Sequence, residues 1–263
     1  MKLQKTNLSR RSSRRSMLKG TITGVAGVAA IAGVATTGLV LTHQDAPDAA
    51  HAQSVNHNNN NDQNAANKAI ANILNIAITA EELGVVFYTQ AVKNARQLNL
   101  SQNGLADIQA ALAEEQVHQS FLAKQGAKAL TNTFSFPFGQ DTFRNFDHFI
   151  KVQQQLEAVF VAAYLAAGKE FATWKRPDLV LIAAQIGGVE AEHRAVGRAI
   201  GGMRPANNRA FETVLLQAVA DAPNVLKKGG FLSPQNGNSF TFHATPANLN
   251  GIVGRTPANA DWS

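Results

Sequence analysis

Hydrophobic residues recur every three to four positions over four long stretches of the chain, as along the buried face of an amphipathic helix. These stretches predict helices over residues 67–96, 105–125, 146–173 and 178–200, and paired glycines end the fourth. A shorter helix is predicted over residues 208–220. The rest of segment 203–263 is rich in Gly, Pro and Asn and is predicted to be an irregular tail.

The connections between the four helices differ in length. Short turns join the first helix to the second and the third to the fourth, whereas a long connection separates Gly126 from Phe146. A helix of about 21 residues is about 31 Å long, and roughly 17 extended residues reach at most about 60 Å. The third helix can therefore start parallel to the second. Four aromatic residues are expected to pack this connection against the helices: Phe134, Phe136, Phe138 and Phe143.

Each predicted helix carries one glutamate in the middle of its apolar face. Glu81, for example, shares a face with Ile78 and Val85, because residues three, four and seven positions apart are neighbours on a helix. A buried carboxylate costs several kcal/mol unless it is paired or bound to metal. The same holds for the acids of the other three helices, which are Glu115, Glu157 and Glu190.

These acids belong to a pattern that occurs twice, about 75 residues apart. Each copy has a Glu, a Tyr seven residues later, and a Glu-x-x-His motif 33 or 34 residues after the first Glu. Such a repeat indicates a duplicated helical hairpin. The first copy consists of Glu81, Tyr88, Glu115 and His118, and the second consists of Glu157, Tyr164, Glu190 and His193.

Four carboxylates and two imidazoles between helices predict a site for two divalent metal ions. A lone Glu-x-x-His is weak evidence, since such pairs also occur on exposed helix faces. The four negative charges of the carboxylates balance the four positive charges of two M²⁺ ions, and a ligand set rich in oxygen favours Fe or Mn. We predict Glu81 and Glu157 as bridging or flexible ligands, His118 and His193 as terminal ligands, and Glu115 and Glu190 as the remaining ligands.

The two tyrosines lie two helical turns from the first acid of each copy. Tyr88 and Tyr164 are predicted to orient metal ligands across the site and so to take part in any catalysis. The alternative is that both rings only fill the core.

The segment Ala80-Glu81-Glu82-Leu83 through Phe87-Tyr88, together with Glu115-x-x-His118, resembles exported ferritin-like domain proteins, which include plant desiccation-related relatives. The resemblance covers residues 67–202. It implies an all-α, ferritin-like four-helix bundle with one long crossover between helices two and three. The same six ligands serve iron-storing ferroxidases, peroxidases, manganese catalases and oxidases, so the resemblance does not name the reaction.

The first 52 residues resemble a twin-arginine signal peptide. Arg14-Arg15 precedes an apolar stretch over residues 20–41, and Ala50-His51-Ala52 forms a small-x-small cleavage site. The segment would meet the export machinery and only transiently the membrane. The alternative is a retained membrane anchor. Residues 53–66 are predicted to be a disordered, Asn-rich linker.

Charge and cysteine content exclude several functions. Removing residues 1–52 takes away seven of the 24 basic and two of the 18 acidic residues, which leaves a formal net charge of +1. The basic face that nucleic-acid binding needs is therefore missing. The chain contains no Cys, which excludes disulfides, thiolate metal sites and the Cys-x-x-Cys electron-transfer module of full rubrerythrins.

The sequence thus predicts an exported protein, periplasmic or extracellular, whose two metal ions carry out redox chemistry on O₂ or H₂O₂. One alternative is a metal-binding, desiccation-protective protein without turnover. Another is an iron store, which would require a shell of subunits. Association into a homo-oligomer is left open, as is the identity of the metal.

Overall fold

The computed structural model describes residues 56–253 and residue 257, with side chains from residue 63 onward. The predicted signal peptide, residues 1–52, lies outside the described residues. Five α-helices and one two-stranded sheet make up the described chain, so the predicted all-α class is confirmed. The helices are α1 (Asn56–Lys93), α2 (Gln102–Lys124), α3 (Phe146–Thr173), α4 (Pro177–Ile200) and α5 (Ala222–Lys228), and the strands are β1 (Thr133–Phe134) and β2 (Phe240–Thr241).

Local sequence explains where the long helices begin. The side chain of Ser101 accepts a hydrogen bond from the backbone N–H of Gly104 and caps α2, and Asn145 caps α3 through the N–H of His148. Pro177 stands in the first turn of α4, where its missing N–H costs nothing. The observed bounds of α3 and α4 agree with the predicted bounds to within one residue.

The first helix begins earlier than predicted. Residues 56–66, predicted as part of a disordered linker, form the first turns of α1. No Gly or Pro interrupts this segment, and extending an existing helix costs far less than nucleating a new one. The stretch Gln63–Lys93 is also long and apolar enough to cross a membrane, but 67% of its most apolar window is buried in the protein, as in a core helix of a bundle.

The bundle consists of two antiparallel hairpins, α1–α2 and α3–α4, each closed by a short connection. Tyr88 of α1 lies beside Glu157 of α3, and Glu81 lies beside Tyr164, so α1 and α3 also run antiparallel. Helices α2 and α3 are therefore parallel, and the predicted long crossover between them is confirmed.

The crossover packs against the bundle through its aromatic residues, as predicted. Phe134, Phe136 and Phe143 are buried, and Phe138 packs against the same core cluster. Strand β1 of the crossover pairs with β2 near the C-terminus, with Phe134 opposite Phe240. The irregular tail is thereby attached to the crossover.

The predicted position of the C-terminal helix is wrong. Residues 208–218 form no helix, and the last helix is α5, which follows a short 3₁₀ turn at Val219–Asp221. Phe211 is 91% exposed, and Val214 and Leu215 are exposed as well. Apolar spacing alone does not form a short helix when no core surface is available to bury its apolar face.

Candidate metal centre

The four glutamates that the helices carry on their apolar faces meet in the centre of the bundle. Glu81, Glu115, Glu157 and Glu190 come from α1, α2, α3 and α4, respectively, and all four are fully buried. His193 is buried beside them, and the side chain of His118 is 11% exposed. The structure therefore brings together all six residues predicted as metal ligands; their binding of metal stays a prediction.

The six residues form two overlapping groups, and the potential ligand atoms of each group lie within 4.8 Å of one another. His118 Nδ1 lies 3.4 Å from Glu81 Oε2 and 3.2 Å from Glu190 Oε1. His193 Nδ1 lies 3.2 Å from Glu190 Oε2 and 3.4 Å from Glu115 Oε1. The groups are Glu81, Glu115, His118 and Glu190, and Glu115, Glu157, Glu190 and His193.

This grouping bears on which acids could serve both metal ions. Glu115 and Glu190 belong to both groups, whereas Glu81 belongs to one and Glu157 to the other. Glu115 and Glu190 are therefore the acids within reach of both groups, which favours them as bridging ligands; the bridging or flexible role of Glu81 and Glu157 stays a prediction. The spacing of residues along one helix determines the level of its acid along the bundle axis. Only the packing of the four helices determines which acids reach both groups of ligand atoms.

Most carboxylates of the cluster lack the partners that burial demands. Both oxygens of Glu115 and one oxygen each of Glu81, Glu157 and Glu190 have no hydrogen-bond partner among the described residues, and neither has His118 Nδ1. Each unsatisfied buried polar group costs about 1–3 kcal/mol, and more when it is charged. Two divalent ions would satisfy these atoms and balance four negative charges, so the donor set fits a dinuclear metal centre.

Without metal, protons would have to neutralise the cluster. Burial raises the pKa of Glu157 to about 7, against the opposing effect of the His193 charge. Burial lowers the pKa of His118, but the carboxylates of Glu81 and Glu190, 3.4 and 3.2 Å from its Nδ1, outweigh this effect and raise the pKa to about 10. Binding of metal would release these protons.

The stability of the metal-free protein is therefore expected to fall as pH rises. A group whose pKa is raised by folding stabilises the fold while it is protonated, and loses that contribution as pH rises to its folded pKa. For Glu157 this window is 4.5 to about 7, and for His118 it is 6.5 to about 10. Unfolding temperatures in EDTA should therefore drop across these windows, and excess Mn²⁺ should flatten the profile. A constant or rising unfolding temperature in EDTA would contradict this account.

The two predicted tyrosines connect the hairpins at the metal cluster. The Tyr88 hydroxyl donates a hydrogen bond to Glu157, and the Tyr164 hydroxyl donates one to Glu81. Each tyrosine thus holds the outer acid of the opposite repeat, and both rings are buried. Burial and the nearby carboxylates raise the pKa of both tyrosines well above its usual value, which keeps the hydroxyls protonated as donors.

Two further residues lie at the site although neither belongs to the predicted set of site residues: Glu114, which the choice of Glu115 as ligand set aside, and Gln153. Glu114 Oε2 lies 2.9 Å from His193 Nε2, on the side of the ring that faces away from the cluster. Gln153 donates to the backbone carbonyl of His193 at 2.8 Å and to the Tyr88 hydroxyl at 3.2 Å. The signal for Glu114 was its place directly before Glu115; the equivalent position in the second repeat is Val189.

Glu114 fixes the His193 ring, so Glu114→Gln is expected to weaken metal binding by about 10–100-fold, the usual effect of losing such an outer partner. A carboxylate accepts from the Nε2–H and thereby leaves Nδ1 free as a ligand, whereas an amide accepts more weakly. Competition with a chromophoric chelator would measure the affinity. The control is Glu192→Gln, because Glu192 is exposed on the same turn as His193. Equal affinities of the two variants would argue against this role.

Four long helices around a buried carboxylate–histidine cluster define a helical bundle whose centre suits two metal ions. A model of the ferritin-like domain family matches residues 69–202, about half of the 263 residues. The chain therefore belongs to the ferritin-like domain family. No curated protein and no solved structure matches the chain. Family membership establishes the fold, whereas the reaction must be argued from the site.

Proposed function

We propose that this chain is an exported protein that holds two divalent Fe or Mn ions and carries out redox chemistry on O₂ or peroxide, which would protect against oxidative stress. The observation that carries the proposal is the set of buried polar atoms without partners on Glu81, Glu115, His118, Glu157 and Glu190. Such a cluster is costly unless it binds cations. When bound, the metal pair would supply redox cycling and polarise the oxygen species.

The protein's own residues would hold and insulate this centre. Glu115 and Glu190 would contribute ligands to both groups, and His118 and His193 would each help to hold one ion with Nδ1, the ring nitrogen nearest to the carboxylates. The tyrosine hydroxyls would fix the outer acids Glu81 and Glu157. A cluster of buried phenylalanines on one side of the metal layer keeps water out: Phe87, Phe136, Phe143 and Phe149.

Export through the twin-arginine route is part of the proposal and concerns residues outside the described range. That route carries folded proteins, so the cytoplasm could load Fe or Mn before export. Outside the cell, copper and zinc would compete with higher intrinsic affinity. Arg14-Arg15 and the Ala50-His51-Ala52 site support this order of events. Cell fractionation of the full chain and of an Arg14→Lys/Arg15→Lys variant would test it.

A second function, metal-binding protection without turnover, also has support. The chain contains no Cys and hence no Cys-x-x-Cys module to deliver electrons. The desiccation-related resemblance favours the same alternative. An iron store would additionally require assembly into a shell, which size-exclusion chromatography would detect.

Turnover of H₂O₂ and O₂ by the Mn- and Fe-loaded protein tests the proposal. We expect Glu81→Ala and His118→Ala to lower the rate by more than about 100-fold, since each removes a ligand rather than an outer partner. The control is Glu192→Ala, which removes an exposed acid from the same helix as His193. Full turnover in the ligand variants would reject the redox function, and bound metal without any turnover would favour the protective alternative.

A further inference from the structure

A large cavity lies at one end of the bundle. From this end, α1 and α4 run towards the level of the four buried glutamates, whereas α2 and α3 run from those glutamates towards this end. The volume of the cavity is about 1160 Å³, above the usual range of about 300–1,000 Å³ for small-molecule sites. All four long helices line it, through residues within 70–80, 116–125, 159–171 and 178–186. The cavity therefore runs along the bundle rather than across its surface.

The inner end of the cavity reaches the metal cluster at Tyr164. This residue lines the cavity and donates its hydroxyl hydrogen bond to Glu81. From Ile70 at the outer end to Ala80 at the inner end, α1 advances ten residues, or about 15 Å. The cavity is thus long enough to take an extended hydrocarbon chain.

The walls of the cavity are mainly apolar, with a few polar side chains from α2 and the tail, among them Gln119 and Ser120. Leu74 and Ala77 of α1 and Ile182 of α4 lie on the helix faces that carry the metal-binding acids, yet they are only partly buried because they border the cavity. In a filled bundle these positions would pack against each other. Apolar surface of this extent marks a binding site for an apolar group.

Charged residues of the lining occur only at the outer end. They are Lys124 at the end of α2, and Arg176 and Asp178 at the start of α4. Arg176 donates to both oxygens of Asp178, at 2.9 and 2.6 Å, so these charges are paired. Lys124 has no hydrogen-bond or ion-pair partner among the described residues. Among the described residues that line the cavity, the mouth therefore carries one positive charge without a partner.

The irregular tail forms one wall. Thr245 and Leu249 line the cavity, and the Gln116 side chain of α2 donates a hydrogen bond to the Thr245 hydroxyl at 2.6 Å. Val219 and Leu226, in and around α5, line another side. The segment after the four-helix domain thus has a structural role: it closes the gaps between helices along the cavity.

We propose that this cavity binds a free single-chain fatty acid, with its hydrocarbon chain directed towards Tyr164 and its carboxylate at Lys124. The apolar walls match the chain, the depth matches an extended chain, and the unpaired ammonium matches the anionic head. This site does not depend on the redox function proposed above.

Calorimetric titration of the purified full chain with a series from octanoate to palmitate, below the micelle concentrations, tests the proposal. Affinity should rise about fourfold per added methylene until the chain fills the cavity, as expected for burial of each CH₂ group. Dodecyltrimethylammonium has a hydrocarbon chain of similar length to that of laurate but a cationic head group. It should therefore bind more weakly than laurate.

Two pairs of variants locate the site. Ala163→Trp, which fills the cavity from α3, should abolish saturable binding, whereas Ala172→Trp on the exposed face of α3 should not. Lys124→Glu should weaken laurate binding about fivefold, and Lys128→Glu, outside the lining, should leave it unchanged. Lys124 is exposed, so this variant does not threaten the fold.

A metal-free Glu115→Ala/Glu190→Ala variant should still bind laurate, so that failure of the metal function and failure of this site are distinguishable. Absence of saturable laurate binding would overturn the proposal. So would equal binding by the Ala163→Trp and Ala172→Trp variants, or tighter binding of the cationic amphiphile.

Discussion

Replacing Glu115 and Glu190 together by alanine is expected to abolish binding of both metal ions, whereas Glu81→Ala or Glu157→Ala should each remove one. The reason is the grouping of the ligand atoms: the first two acids belong to both groups, and each of the last two belongs to one. Elemental mass spectrometry of the purified protein would give the stoichiometry, with about two ions per chain expected for the unmodified site.

The same variants provide a readout that does not need metal. Three of the four carboxylate oxygens of Glu115 and Glu190 lack a hydrogen-bond partner, so the metal-free double variant should unfold at a higher temperature than the metal-free original. Glu192→Ala, which removes an exposed acid, should change neither stoichiometry nor stability in EDTA. Retention of two ions by the double variant would contradict the site, and loss of both ions from either single variant would contradict the division of ligands.

Gly84→Ala is expected to impair the metal centre through a single added methyl group. A Cβ at this position of α1 would lie 2.6 Å from Glu115 Oε2 and 2.7 Å from Glu115 Cδ, closer than real contacts allow. The carboxylate would have to move, and it is one of the two acids placed to bridge the ions. We expect the variant to fold but to bind metal at least about tenfold more weakly, as when the surroundings of a ligand are disturbed.

The matched control is Gly188→Ala, at an exposed position of α4 where an added Cβ meets no atom within 4 Å. There the substitution should raise stability by about 0.5–1 kcal/mol, the usual gain of Ala over Gly inside a helix, and leave metal binding unchanged. Thermal unfolding and metal titration of both variants separate the helix effect from the effect on the site. Unchanged metal affinity in Gly84→Ala would show that Glu115 can shift without losing its function.

Gly84 also changes how the first helix is understood. Helical periodicity alone gives no reason for a glycine in the middle of this helix, one turn after Glu81. The structure gives Gly84 a positive reason: without a side chain there, α2 can bring Glu115 against the backbone of α1. Close approach of two helices at a buried ligand is a common reason for glycine inside a helix.

The sequence by itself determined the four long helices, the crossover and the six residues that meet at the centre. The spacing of apolar residues indicates which face of a helix is buried. The matching spacing of the acids in the two repeats indicates that they lie at the same level along the bundle axis. Both are properties of single helices or of one hairpin, so they can be seen along the chain.

Only the tertiary structure decided which residues face each other across the bundle. It made Glu115 and Glu190 the shared acids, directed each tyrosine to the acid of the opposite repeat and placed Glu114 behind His193. It also places the last described helix at Ala222–Lys228 instead of residues 208–220, and it contains a cavity beside Tyr164. These features depend on the packing of helices that are far apart in the chain, and helical periodicity carries no information about the opposite partner.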